Sequence, residues 1–198
     1  MTPATPRTGP LRTAMLIGST RRGRFGPTVA RWFAGLAGQR TDMALDVIDL
    51  GTAGLPDTLI DEGDDVPGPV RALAPRLAAA DAFVIVTPEY NHSFPAPLKT
   101  AVDWFVDEWR AKPVGFVSYG GMSGGLRAVE QLRLVFSELH AVTVRDTVSF
   151  HSCREKFDDA GRPVDAAGCD AAAKGLLDQL AWWARALRDA RTARPYDL

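Results

Sequence analysis

Ala82-Phe83-Val84-Ile85-Val86-Thr87, running straight into Pro88-Glu89-Tyr90-Asn91-His92-Ser93, is the stretch on which the fold turns. Its first half carries no charge and is apolar on both alternating faces. A strand of that kind is buried from two sides, as in the middle of a parallel sheet sheathed by helices. Working outward, Thr13–Ile17 and Ala44–Ile48 read as strands before it, and Val114–Ser118 and Val142–Ser149 as strands after it. Between them apolar residues recur at helical spacing in Thr28–Leu36, Val70–Leu77, Ala96–Phe105, Gly125–Leu139 and Ala166–Leu187. Strand and helix alternate along the whole chain, which predicts a doubly wound α/β domain. Gly51–Pro69 and Cys153–Pro163 read as surface loops.

The bulk properties agree. The chain has 198 residues, 46% of them hydrophobic and 24% charged, with a formal net charge of −1. That composition predicts one folded domain over 13–192, with a loose arm at 1–12 and a short tail at 193–198. The balanced charge offers no field to draw nucleic acid or an anionic membrane. No apolar run nears the roughly 18 residues of a membrane span, and the Pro/Thr/Arg-rich start is no secretory signal, so a cytoplasmic protein is expected. The two cysteines, Cys153 and Cys169, form no CxxC and have no paired histidine nearby. Neither a metal site nor a disulfide framework is indicated.

Doubly wound sheets bind ligands beyond the carboxyl ends of their strands, at the topological switch point. The loops there carry unusual sequence. Gly18-Ser19-Thr20-Arg21-Arg22-Gly23-Arg24-Phe25-Gly26-Pro27-Thr28 brings hydroxyls, glycine amides and arginine to a helix N-terminus, where a single phosphate would be welcome. A polar turn with solvated arginines explains the same residues. The spacing matches neither the triphosphate P-loop nor the dinucleotide fingerprint. After the central strand, Pro88 stiffens the turn, Tyr90 offers a ring face and Asn91 can donate and accept, a set suited to the edge of a heteroaromatic ring. Ser118-Tyr119-Gly120-Gly121-Met122-Ser123-Gly124-Gly125 lets backbone amides approach a flat ligand closely; a plain flexible corner is the alternative.

With these loops assembled, the chain resembles the NADPH-dependent FMN reductase family, which includes quinone, azo-dye and chromate reductases. The likeness spans about residues 13 to 150 and rests on Gly18-Ser19-Thr20-Arg21, Thr87-Pro88-Glu89-Tyr90-Asn91-His92-Ser93, Leu98-Lys99, Asp103-Trp104, the glycine loop and Gln131-Leu132-Arg133. It implies a flavodoxin-like three-layer sandwich with a five-stranded parallel sheet in the order 2-1-3-4-5. It further implies FMN as cofactor and NADPH or NADH as co-substrate. Ser19 and Arg21 would hold the phosphate. Pro88, Glu89, Tyr90 and Asn91 would border the isoalloxazine and ribityl, and Ser118, Gly120 and Gly121 the pyrimidine end.

Two positions depart from the family. Arg24 stands where many members carry a phosphate-binding serine, so Thr28 or amides near Gly26 would take over that duty. His92 stands where glycine is frequent and, with Met122, would shape the pocket for the second substrate. No catalytic side chain is expected, because the flavin carries the chemistry.

The resemblance implies hydride transfer from NAD(P)H to the flavin, then transfer to a quinone, azo compound, metal ion or free flavin in a ping-pong cycle. A flavodoxin-like electron carrier serving a partner protein is the alternative. Arg22 and Arg24 are candidates for dinucleotide phosphates or plain surface charges. Ala96–Trp109 carries more apolar surface than one stripe requires, which predicts a homodimer or dimer of dimers through this region.

Overall fold

The computed structural model describes residues 9–60 and 65–197. The elements follow in the order β1 (Leu11–Ile17), α1 (Gly26–Ala37), β2 (Met43–Asp49), α2 (Leu50–Ala53), α3 (Gly68–Ala79), β3 (Ala82–Pro88), α4 (Ala96–Trp104), β4 (Pro113–Tyr119), α5 (Leu126–Glu138), β5 (Val142–Phe150) and α6 (Ala166–Ala193). The strands form one parallel sheet in the order β2-β1-β3-β4-β5, as expected.

Burial along each strand follows its place in that order. Every residue of β3 and β4 is buried, whereas the edge strands β2 and β5 mix buried with partly exposed positions. Side chains alternate between two cores. Met15, Ile17, Val84, Val86 and Val117 face α1 and α6, packing on Val29, Phe33, Leu176 and Leu180. Leu16, Phe83, Ile85 and Phe116 face α3, α4 and α5, packing on Leu73, Leu77, Leu98, Val102, Leu132 and Phe136.

Some boundaries differ from the sequence reading. Leu11 and Arg12, expected in the arm over 1–12, belong to β1: Leu11 is buried and its amide bonds the Asp42 carbonyl at 2.8 Å. Residues 1–8 lie outside the described residues. In the expected tail, Tyr196 bonds His140 Nδ1 at 3.0 Å and packs edge-on against its ring. The single turn α2 falls inside the stretch read as loop, capped by Asp49, whose side chain accepts from the Gly51 amide at 2.9 Å. Among the described residues no helix is long and apolar enough to cross a membrane.

The apolar excess of Ala96–Trp109 is used within the subunit, and this corrects the surface argument for a dimer. Phe105 turns out of the helix in an extended conformation, and a 3-10 turn over Asp107–Trp109 returns the chain to the core. Leu98, Val102, Phe105 and Trp109 are all buried, and the Trp109 ring packs 4.5 Å from Phe83 and 5.4 Å from Phe136. Trp104 donates to the Pro56 carbonyl at 2.9 Å. Val106 remains exposed. Lys99 and Asp103 pair within the helix at 2.8 Å.

Candidate active site

Parallel strands bring Ile17, Asp49, Pro88, Tyr119 and Phe150 to one edge of the sheet. The loops after β1, β3 and β4 therefore converge there, and the segment after β5 joins them. Together they enclose a cleft of about 230 Å³, lined by Arg21 and Phe25, by Pro88, Glu89 and Tyr90, by Tyr119 and Gly120, and by Cys153 and Arg154. A shallower extension runs over Gly120 and Gly121 to Ser152–Glu155. A more apolar hollow of about 390 Å³ lies at the opposite end of β1, beside Pro75 and Ala79. It is remote from every one of these loops, and its Arg76 and Asp46 already pair with each other.

The first loop is held at Ser19. That residue is fully buried, and its Oγ accepts a hydrogen bond from the Tyr119 hydroxyl at 3.0 Å. Gly26 makes room for the pair: a Cβ there would stand 2.6 Å from Ser19 Oγ and 2.8 Å from the Tyr119 oxygen. So Gly26 acts by its missing side chain, at the buried start of α1. Ser19 itself is not among the residues that line the cleft; Tyr119, its hydrogen-bond partner, is. Burial pushes the Tyr119 phenol well above its ordinary range, against the smaller opposing pull of the Ser19 bond, so it stays a neutral donor. Arg21 stays exposed, 5.8 Å above the Tyr90 ring. Thr28 lies against the later loop, where a Cβ on Gly161 would meet its methyl at 3.1 Å. It does not line the cleft, so it does not stand in for the missing serine.

Arg24 also lines the cleft, but it is not a loose surface charge. Its two terminal nitrogens reach the Asp49 carboxylate at 2.6 and 2.7 Å, and one also donates to the Ser19 carbonyl at 2.6 Å. Burial would raise the Asp49 carboxyl, but the bonds from Arg24 and the Gly51 amide outweigh it and hold the group below the usual range.

The second loop is a two-residue reverse turn. Tyr90 and Ser93 exchange backbone hydrogen bonds at 2.8 and 3.0 Å, with Asn91 and His92 at φ of +48° and +72°. These angles belong to the mirror-image turn that favours Asn-Gly, which explains why glycine suits position 92. Gln131 of α5 pins the turn, accepting from Ser93 Oγ at 2.5 Å and donating to the His92 carbonyl at 2.8 Å. Asn91 and His92 are exposed at the tip and do not line the cleft. Glu89 turns its carboxylate to Ser123 Oγ at 2.6 Å and to the Arg127 guanidinium, with Nε at 2.6 Å. Burial would raise this carboxyl too, but the bonds from Ser123 and Arg127 and the arginine charge bring it below its ordinary value. Glu89 thus ties the second loop to the third.

In the third loop Ser118 is buried and donates to the Gly124 carbonyl at 2.8 Å, as Ser149 does. Its hydroxyl supports the loop from beneath and does not face the cleft. Gly124 and Gly125 carry the strained turn at φ of +63° and +87°. Gly121, by contrast, has no heavy atom within 4 Å of where a Cβ would lie. Met122 is 87% exposed, and only its carbonyl is engaged, by His151 Nδ1 at 2.7 Å.

The segment after β5, a surface loop by its sequence, forms the fourth wall. Ser152 and Cys153 amides donate to the carbonyls of Gly121 and Gly120 at 2.8 and 2.9 Å. Cys153 and Arg154 thereby reach the cleft. Burial raises the Cys153 thiol, so it is a protonated wall residue. Tyr119, Phe25 and Asp49 are the other contributors that sequence reasoning passed over. Tyr119 and Asp49 stand at strand ends, which was the one available signal.

This architecture, a doubly wound parallel sheet with an arginine-rich first loop, an aromatic second loop and a glycine-rich third loop, is flavodoxin-like. Comparison with known proteins narrows the class. Residues 11–155 match the model of the NADPH-dependent FMN reductase family, and the chain belongs to that family of oxidoreductases. It is 32% identical over 181 residues to the 2-hydroxy-1,4-benzoquinone reductase of a Burkholderia species, covering 88% of this chain and 97% of the relative. It is 32% identical over 162 residues to a probable NADPH:quinone oxidoreductase of Oryza sativa, covering 78% and 80%. The NAD(P)H-dependent FMN reductase of Schizosaccharomyces pombe is 38% identical over 119 residues; there the match spans 56% of this chain and 58% of the relative's length. Among solved structures, the flavoenzyme NAD(P)H:(acceptor) oxidoreductase FerB of Paracoccus denitrificans superimposes with a TM-score of 0.73 at 24% identity, covering 89% and 98% of the two chains.

The cleft fits the family's flavin. Arg21, exposed in the cleft lining, suits a phosphate, and the open face over Gly121 leaves a flat ring room beside the backbone.

Proposed function

We propose that the chain binds FMN in this cleft and uses NAD(P)H to reduce a quinone, azo compound, metal ion or free flavin in a ping-pong cycle. The observation that carries the reading is the polarity of the cleft. Its one end offers Arg21, beside Tyr119 with the buried Ser19 hydroxyl bonded to it; its other end offers the open backbone of Gly121. A ligand with a phosphate at one end and a flat ring at the other matches both.

In this proposal Ser19 and Arg21 hold the phosphate, Pro88 and Tyr90 border the ring and ribityl, and Gly120 and Gly121 point backbone at the pyrimidine. Bound FMN supplies the hydride acceptor and donor. The side chains bind and orient. Glu89 is locked to Arg127, His151 is engaged by Met122, and His92 stands at a turn tip, so none is poised as an acid or base. Quinones are the favoured acceptors, on the strength of the Burkholderia and rice relatives. The near-zero charge favours an enzyme over an acidic electron carrier. A homodimer and a cytoplasmic location complete the proposal, the dimer now supported by the family resemblance alone.

Steady-state kinetics with NADPH and 1,4-benzoquinone test the cycle. Parallel reciprocal lines are expected, as the two substrates use one cleft in turn; intersecting lines contradict it. Slow NADPH oxidation in a protein that retains flavin would favour the electron carrier.

A further inference from the structure

We propose that Asp49 and Arg24 are positioning residues for the anion end of the cleft: Asp49 holds the Arg24 fork, the fork holds the Ser19 carbonyl, and the pair thereby sets affinity for a flavin phosphate without touching it. The inference rests on the FMN reading above.

Both terminal nitrogens of Arg24 are committed, at 2.6 and 2.7 Å to Asp49 and at 2.6 Å to Ser19, and the side chain is only 17% exposed. The end-on fork of the guanidinium is thus occupied by Asp49 and a third N–H by the Ser19 carbonyl. Its partner is equally constrained. Asp49 ends β2 in register with Ile17, caps α2, and accepts from the Gly51 amide at 2.9 Å. The guanidinium lies flat on Gly51, where a Cβ would come within 2.7 Å of Cζ. Ser19 is therefore held at two points, its carbonyl by Arg24 and its hydroxyl by Tyr119 at 3.0 Å.

A phosphate loop fixed beforehand avoids the ordering cost that a loose one meets on binding. This gives the strand on the far side of β1 a role in cofactor affinity that no contact with the ligand requires. It also accounts for arginine at a position where the family often has serine: the loop has exchanged a direct ligand for a brace.

Equilibrium dialysis of the full chain against FMN and against riboflavin, which lacks the phosphate, separates the outcomes. Asp49→Ser keeps a helix cap but cannot hold the fork, Arg24→Gln removes the fork, and Gly51→Ala keeps both charges while crowding the guanidinium. Each is expected to weaken FMN by about tenfold or more and leave riboflavin within about twofold. If Asp49→Ser binds FMN as tightly as the unaltered chain or more tightly, Arg24 is a direct ligand and the proposal fails. It fails too if FMN and riboflavin weaken together, since the pair would then be merely structural. An unaltered chain that retains neither flavin would overturn the FMN reading itself.

Discussion

His92 occupies backbone space better suited to glycine. At φ of +72° a side chain with a Cβ costs on the order of 1 kcal/mol, and the turn is held in that shape by Gln131 and by the Tyr90–Ser93 exchange. His92→Gly is expected to raise stability by about 0.5–1 kcal/mol in urea denaturation. A loss of that size would mean the imidazole makes a stabilising contact that the turn geometry does not explain. Glu89 is the other residue with a measurable signature. Its carboxyl titrates below the ordinary 4.5 in the folded chain, so the stabilisation is fully present above that value and disappears as pH falls through the lowered one. Replacing it, Glu89→Gln should therefore destabilise clearly at neutral pH and much less once pH has fallen below the lowered value. A stability gap that stays constant across that range would assign the Glu89 effect to packing and not to charge.

The glycine loop makes its prediction as an element. Gly125 adopts φ of +87°, and a Cβ there would press to 2.7 Å from Ser118 Cβ and 3.0 Å from the Tyr119 amide. Gly125→Ala should cost about 2 kcal/mol or more, whereas Gly121→Ala, with open space around its Cβ, should leave stability unchanged and weaken flavin retention. Equal melting temperatures for the two variants would refute this division of labour. The same elements show what periodicity can and cannot reveal. The five strands stood out because β3 and β4 are buried on both faces and their sequences can contain little else. The turn α2 escaped notice, being too short for any period and marked only by the Asp49 cap. The orientation of the Ser19 and Ser118 hydroxyls depends on Tyr119, which lies 100 residues away from Ser19 in the chain, and on the Gly124 carbonyl, and no local pattern shows either. The Cys153–Arg154 wall was likewise hidden, since it is made by backbone bonds to Gly120 and Gly121 and not by side-chain type.

At the scale of the molecule, the aromatics of Ala96–Trp109 teach a related lesson. Composition correctly gave them a burial requirement, but the 3-10 turn after Phe105 meets that requirement inside the subunit. Sedimentation is expected to show twice the 21.4 kDa chain mass; a 21.4 kDa species alone would remove the homodimer from the proposal. The arrangement of the whole sheet, with four loops gathered at one edge around an arginine- and aromatic-lined cleft and an open glycine face, has its clearest consequence in the visible spectrum. Protein loaded with FMN, desalted, and mixed with NADPH without oxygen should keep its flavin absorption bands and then bleach rapidly. Bands that stay with the protein but do not bleach with NADPH or NADH, or flavin lost entirely on desalting, would contradict an FMN-dependent NAD(P)H oxidoreductase.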